Sequence, residues 1–355
     1  MLPIQLGPNV LSGKWRGAGR IGRFRGLDID PDLAEDWVAS TVGRATPPHL
    51  GLSVLPDGRL LRDAVAQDTA GWLGARRAAA SGTDVGFLLK LLDAGERLPL
   101  HVHPGRGFMR RVAGPQQRHG KSESWVVLDA EPGASVRFGF NRDVEAAELA
   151  GWVGEQDVDA LVGCTTVVEV HPGDTVFCPA GVPHSIGEGL FVVEVEEPTD
   201  LSIMLEWDGF AVDGPRDGHL GLGFPLALEA VDRSAWPRRR VEACIVRGGG
   251  QRETGAGVRP ALVQMARSFF AVESVSAPAH WAAAFCVVVA VRGSGVLETG
   301  GGSTAVTAGQ TFVVPFSAGD CAVRGDVELI RASATADGEV NDLRLVGEHA
   351  GGRDS

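Results

Sequence analysis

His101-Val102-His103, then Gly120-Lys121-Ser122-Glu123-Ser124-Trp125, then Gly173-Asp174-Thr175-Val176-Phe177-Cys178-Pro179-Ala180-Gly181-Val182-Pro183-His184: the reading of the fold turns on these three pieces of one stretch. In a strand, side chains i and i+2 share a face, so the imidazoles of His101 and His103 point the same way. Glu123 opens the apolar run Trp125-Val126-Val127-Leu128, and His184 follows a strand end that turns through Pro and Gly. His101, His103, Glu123 and His184 therefore form a set of three imidazoles and one carboxylate, suited to Zn, Fe, Mn, Ni or Co. Isolated histidines such as His49, His119, His219, His280 and His349 read as surface or core residues.

Around this stretch the sequence predicts short strands cut by Gly, Pro and Asp, over 86–93, 98–103, 124–130, 134–140, 164–171, 175–178, 191–197 and 202–207. Such spacing predicts a sandwich or barrel, with a helical insertion over 143–154. Before it, the pattern predicts a helix over 31–40, capped by Asp30 with Pro31 in its first position, and a second over 64–80. Residues 209–240 are turn-rich with a short helix over 225–231, and Arg238-Arg239-Arg240 introduces further strands over 269–275, 285–291, 295–299, 310–315, 321–323 and 328–332. There Gly309-Gln310-Thr311-Phe312-Val313-Val314-Pro315 echoes Gly173 to Pro179, but no histidine follows Pro315. The expected architecture is all-β with helical additions: a metal-binding barrel domain in 1–235 (barrel core about 85–210), a degenerate, metal-free barrel in 236–335, and a partly mobile tail, 336–355.

The chain has 355 residues, 44% of them hydrophobic, enough for two cores. A net charge of −12 argues against a nucleic-acid surface and for a small-molecule partner. Five widely spaced cysteines in apolar settings read as reduced core residues. Neither a signal segment nor a membrane span is evident, so a cytoplasmic location is expected. Only three of the 33 Lys and Arg residues are lysines (Lys14, Lys90 and Lys121); Lys121 lies in the deciding stretch and Lys90 on the expected strand over 86–93 just before it. In a chain that otherwise uses arginine, this marks Lys90 and Lys121 as places where a compact ammonium is wanted.

Gly95, five residues, then His101-x-His103 resembles the first half of the cupin motif. Gly173, five residues, then Pro179-x-Gly181-x-x-His184 resembles most of the second half, with Glu188 where an Asn is usual. The Gly120-Lys121-Ser122-Glu123 element and Ala34-Glu35-Asp36-Trp37 narrow the resemblance to the type I mannose-6-phosphate isomerases. That resemblance implies two jelly-roll cupin barrels and interconversion of mannose 6-phosphate and fructose 6-phosphate through an enediol, with one divalent metal, zinc. It implies metal ligation by His101 (in place of the usual Gln), His103, Glu123 and His184. It also implies catalytic roles for Lys121, Glu194 and Lys90, and a substrate contact for Asp200.

Ten residues after Glu194 the family has a substrate-facing arginine, and this chain has Met204. A thioether cannot fork onto phosphate as a guanidinium does. Arg106, Arg110 and Arg111, with Arg118, form a cationic cluster after His103 and are the expected phosphate-binding substitutes. Two other readings stay open: a non-catalytic sugar or sugar-phosphate binding protein, favoured by Met204, and an iron or manganese cupin oxygenase, favoured by the three histidines.

Overall fold

A computed structural model describes residues 1–44, 47–248 and 257–335. The tail expected over 336–355 lies outside the described residues. Two antiparallel sheets face each other in the first part of the chain. One runs in the order Ile245–Val246, Thr175–Cys178, Glu123–Ala130, Leu190–Glu196, Leu88–Asp93, Glu35–Val38, Val10–Leu11. The other runs Ile203–Met204, His101–Val102, His184–Ile186, Ser135–Phe140, Thr165–Glu169. Leu92, Trp125, Val127, Phe138, Val176, Ile186 and Val192 fill the space between them.

Strand alternation explains what this barrel does with its central strands. Leu89, Leu91, Val126, Phe177, Val193 and Val195 point outward and pack on Phe270, Val287, Val289, Val313 and Ile330 of the second domain. The opposite faces of the same strands point inward, apolar at one end (Leu92, Trp125, Val127, Val176, Val192) and ionisable at the other (Lys90, Glu123, Glu194, Glu196). Both faces are buried, so hydrophobic runs broken by single charges mark the inner wall of a site.

The second domain is one eight-stranded antiparallel sheet around Trp281, Val288, Phe312, Val314 and Leu329. The sequence reading split its long hairpin strands in two, but Cys286–Thr299 and Cys321–Ala334 are continuous. Their glycines bend the ladder without ending it: Gly293 has φ +73° and the register shifts between Ala290 and Arg292. Pairing also crosses the expected boundary at 235. Ile4–Leu6 pairs with Thr311–Val313, and Ile245–Val246 pairs with Thr175–Val176.

Three local expectations are corrected. Residues 31–40 do not form a helix; Glu35–Val38 is a fully buried strand, and its Asp36 is held by Arg25 at 2.6 Å. Tertiary pairing with Leu89–Leu92 overrides its helical spacing. The helix expected over 64–80 is three short helices, Leu61–Gln67, Thr69–Leu73 and Ala75–Ser81, broken at Asp68 and Gly74. Arg238–Glu242 is helix, not the start of a strand set. The helical insertion is Ala146–Glu155 and Val158–Gly163, packed on Leu100, Val102 and Leu205. Among the described residues no helix is long and apolar enough to cross a membrane. All five cysteines are buried and unpaired.

Candidate metal centre and its cavity

His101 sits on a strand of only two residues, shorter than expected, because Pro99 and Pro104 flank it and proline cannot donate to the ladder. Its cross-strand neighbours are His184 on one side and Met204 on the other. His103 follows on the same face, and the three ring centroids lie 4.3–4.9 Å apart. Each Nδ1–H donates to a backbone carbonyl: His101 to Pro99 at 2.8 Å, His103 to Leu201 at 2.7 Å, His184 to Val182 at 2.8 Å. That fixes one tautomer in all three rings and leaves each Nε2 as a lone pair.

Glu123 meets these lone pairs, its Oε2 2.9 Å from His103 Nε2 and its Oε1 3.0 Å from His184 Nε2. His184 Nε2 is buried and has no hydrogen-bond partner despite that distance, since neither atom carries a proton to share. Burial, with the neighbouring imidazoles, holds His101 well below the usual histidine range. Burial and the charge of Lys121 bring His103 down to about 4. Burial opposes the charge of Glu123, but Lys121 and the imidazoles keep its carboxyl well below the carboxylate range. Neutral imidazoles and a carboxylate converging through acceptor atoms, with the Lys121 ammonium beside His103 and Glu123, fit a divalent cation.

Gly120 lets the Gly120-Lys121-Ser122-Glu123 element come close. A Cβ there would lie 2.5 Å from the Pro104 carbonyl oxygen, and Lys121 N–H donates to that oxygen at 3.1 Å. Lys121 then reaches Glu123 at 2.7 Å, His103 Nε2 at 2.8 Å and Glu196 at 2.7 Å. Lys90 lies 3.2 Å from Glu194 and 3.0 Å from Glu196, and 4.9 Å over the Trp37 ring. The Glu196 contacts are within ion-pair distance, but neither is aligned as a hydrogen bond. Burial works against both ammonium groups, but the surrounding carboxylates raise them, so both stay protonated. Burial raises Glu196 well above the carboxylate range. Burial opposes the charge of Glu194 too, but Lys90 and Lys121 together hold its carboxyl down. The two neighbouring carboxyls thus shift apart, Glu196 upward and Glu194 downward.

A cavity of about 820 Å³ opens above this cluster, lined by His101, His103, Lys90, Lys121, Glu194, Asp200 and Met204. Glu123 and His184 lie behind, each 1% exposed. The expected arginine cluster does not line it. Arg106–Ala113 is a helix that presents Met109, Val112 and Ala113, an i, i+3, i+4 face, to the cavity. Arg106 is turned away and buried, bonded to Glu197 with its guanidinium 4.6 Å over the Phe269 ring. Arg111 pairs with Glu229 at the surface, and Arg110 is likewise outside the lining. The cations added to the wall are Lys14, Arg44 and Arg216.

Sequence reasoning missed Glu196, Glu197, Lys14, Glu35 and Arg44. Alternation from Glu194 signals Glu196. Glu197, which accepts the N–H groups of Ser122 at 2.9 Å and Gly120 at 3.3 Å, lies past the strand end where alternation stops. Lys14, Glu35 and Arg44 come from an N-terminal segment brought over the cavity by pairing with Leu88–Asp93.

A sequence profile described as "Mannose-6-phosphate isomerase, cupin domain" matches residues 263–334. Mannose-6-phosphate isomerase of Streptococcus mutans is 31% identical over 116 residues, 33% of this chain and 34% of that protein. Mannose-6-phosphate isomerase ManA of Bacillus subtilis is 28% identical over 155 residues, 43% of this chain and 46% of its own. The matches thus span less than half the length of these two relatives. The solved mannose 6-phosphate isomerase of Bacillus subtilis superposes with a TM-score of 0.69 at 21% identity, covering 94% of this chain and 99% of its own. A phosphomannose isomerase variant from Salmonella typhimurium gives 0.67 at 15%, covering 94% and 100%. With the two-sheet barrel and the GKSE element in place, the chain resembles the mannose-6-phosphate isomerases in sequence and shares the fold of their solved structures.

Proposed function

We propose that this chain is a metal-dependent aldose–ketose isomerase acting on a sugar phosphate, with mannose 6-phosphate as its substrate. The observation that carries the reading is the convergence of three Nε2 lone pairs and the Glu123 carboxylate beside two protonated lysines. His101, His103, His184 and Glu123 would hold one divalent ion, most suitably zinc for this borderline donor set. When bound, such an ion supplies Lewis acidity that offsets negative charge on the substrate's oxygens.

The chain's own residues supply the rest. Glu194 is the ionised acceptor on the cavity wall and the residue placed to take a proton from the carbon next to the carbonyl. Glu196 lies between the two ammonium groups, within ion-pair distance of each. Lys90 and Lys121 keep their protons and face the enediol with N–H donors and positive charge. Asp200 lines the same wall, where it would meet a sugar hydroxyl. The test is turnover of mannose 6-phosphate to fructose 6-phosphate by metal-loaded protein, its loss on chelation and its return with zinc. A fully metallated, folded protein without turnover would instead favour a sugar-phosphate binding role, the reading that Met204 supports.

A further inference from the structure

Lys14 differs from the other cations of the cavity. Lys90 and Lys121 are engaged by Glu194, Glu196 and Glu123. Arg44 lies 3.5 Å from Glu35, and Arg216 pairs with Asp217 at 2.6 Å. Lys14 lines the same wall, yet among the described residues its hydrogen-bonding contact is the thioether of Met204, Nζ to Sδ 3.7 Å. Burial pushes its ammonium pKa down. Asp200 and Glu35 support the charge from farther away, and Lys121 and Arg44 repel it. A thioether is a weak acceptor, so among the described residues no strong protein acceptor engages this ammonium. A half-buried cation facing a cavity, with two further cations nearby, is stabilised by an incoming anion.

We propose that Lys14 binds the phosphoryl group of the ligand and supplies, from the N-terminal segment, the positive charge that the strand Ile203–Met204 lacks. The inference rests on reading the cavity as a sugar-phosphate site. A dianionic phosphoryl group relieves the repulsion between Lys14 and Arg44, which a neutral hydroxyl does not. Met204 then acts as an uncharged neighbour that leaves room for the longer reach of Lys14.

The experiment titrates mannitol 6-phosphate, which has no carbonyl to isomerise, into metal-loaded protein by calorimetry, with mannitol as the phosphate-free control. Lys14→Met should weaken mannitol 6-phosphate about 10- to 100-fold and leave mannitol within about twofold. Adding Met204→Arg to Lys14→Met should restore part of the loss, and in turnover Lys14→Met should raise KM more than it lowers kcat. Native-like binding by a folded, metallated Lys14→Met variant would overturn the assignment, as would equal losses for both probes. Turnover by the native chain with an unchanged KM in Lys14→Met would remove Lys14 and leave the proposed function standing. A phosphate-dependent loss in Lys14→Met without any native turnover would do the reverse.

Discussion

Replacing Glu197 with glutamine removes the charge that ties the Gly120-Lys121-Ser122 turn to the helix beginning at Arg106. The carboxylate is 0% exposed and accepts the N–H groups of Ser122 and Gly120 and the Nε–H of Arg106. Arg106 is itself buried, so without the carboxylate a desolvated cation is left behind. Hydrogen bonds to ionised groups are worth about 1.5–3 kcal/mol each, and stripping a buried charge of its partner costs about 3–5 kcal/mol. Glutamine keeps one acceptor oxygen, so a loss of about 3 kcal/mol is expected. At about 1.3 °C per kcal/mol for a chain of this size, the Tm should fall by about 4 °C. The same turn carries Lys121 and Glu123, so metal affinity should drop about tenfold. Thermal unfolding with and without metal at pH 7, with metal titrations, reads both effects. Arg106→Met added to Glu197→Gln should recover part of the stability, because the orphaned cation goes too. A Tm within about 1 °C of native in Glu197→Gln alone would refute the role given to this carboxylate.

His119 offers a pH test: burial opposes its charged form, but the hydrogen bond to Asp84 at 2.6 Å and the nearby Glu197 hold its pKa up at about 8. Its Nδ1 is 3.6 Å from Glu197, too long for a hydrogen bond, so Asp84 carries most of the effect. A raised folded-state pKa gives stability that is complete below about pH 6.5 and lost as pH rises through about 8. His119→Gln should therefore remove about 2 kcal/mol from the difference in denaturant stability between pH 6 and pH 9, and an unchanged pH profile would contradict this. His103→Ala or Glu123→Ala should abolish stoichiometric metal binding while near-ultraviolet circular dichroism stays native, because the barrel core is built from Trp125, Phe138 and their apolar neighbours. Full occupancy in elemental analysis of both variants would remove the ligand assignment. Lys121→Arg puts a larger, forked cation into a site where Nζ already meets Glu123, Glu196 and His103, and should cost about 1–3 kcal/mol of stability and at least about tenfold in turnover.

Legibility of the sequence followed the range of its interactions. The inner wall of the barrel was readable because alternation is local: His101 and His103, or Glu123 and Trp125, declare a shared face without knowledge of their neighbours. The GKSE element and the Pro179-x-Gly181-x-x-His184 turn were readable for the same reason, since glycine is required by nearby backbone. Glu35–Val38 was misread because a four-residue stretch carries both periods and only pairing with Leu89–Leu92 decides between them. Arg106 to Arg111 were misplaced because a charge cluster looks alike in a loop and on a helix, while the face that meets the cavity depends on where Met109, Val112 and Ala113 pack. Lys14 and Arg44 were out of reach, because a side chain that enters a site from a remote segment leaves no spacing to read.

The most direct test is proton exchange at C2 of mannose 6-phosphate in deuterated water, followed by NMR with metal-loaded protein. It reports the enediol step whether or not net conversion is favourable. Exchange is expected from the native chain, with loss of at least about a hundredfold in Glu194→Gln, which removes the ionised acceptor but not the metal ligands. No exchange above background by fully metallated native protein, or full-rate exchange by Glu194→Gln, would contradict it.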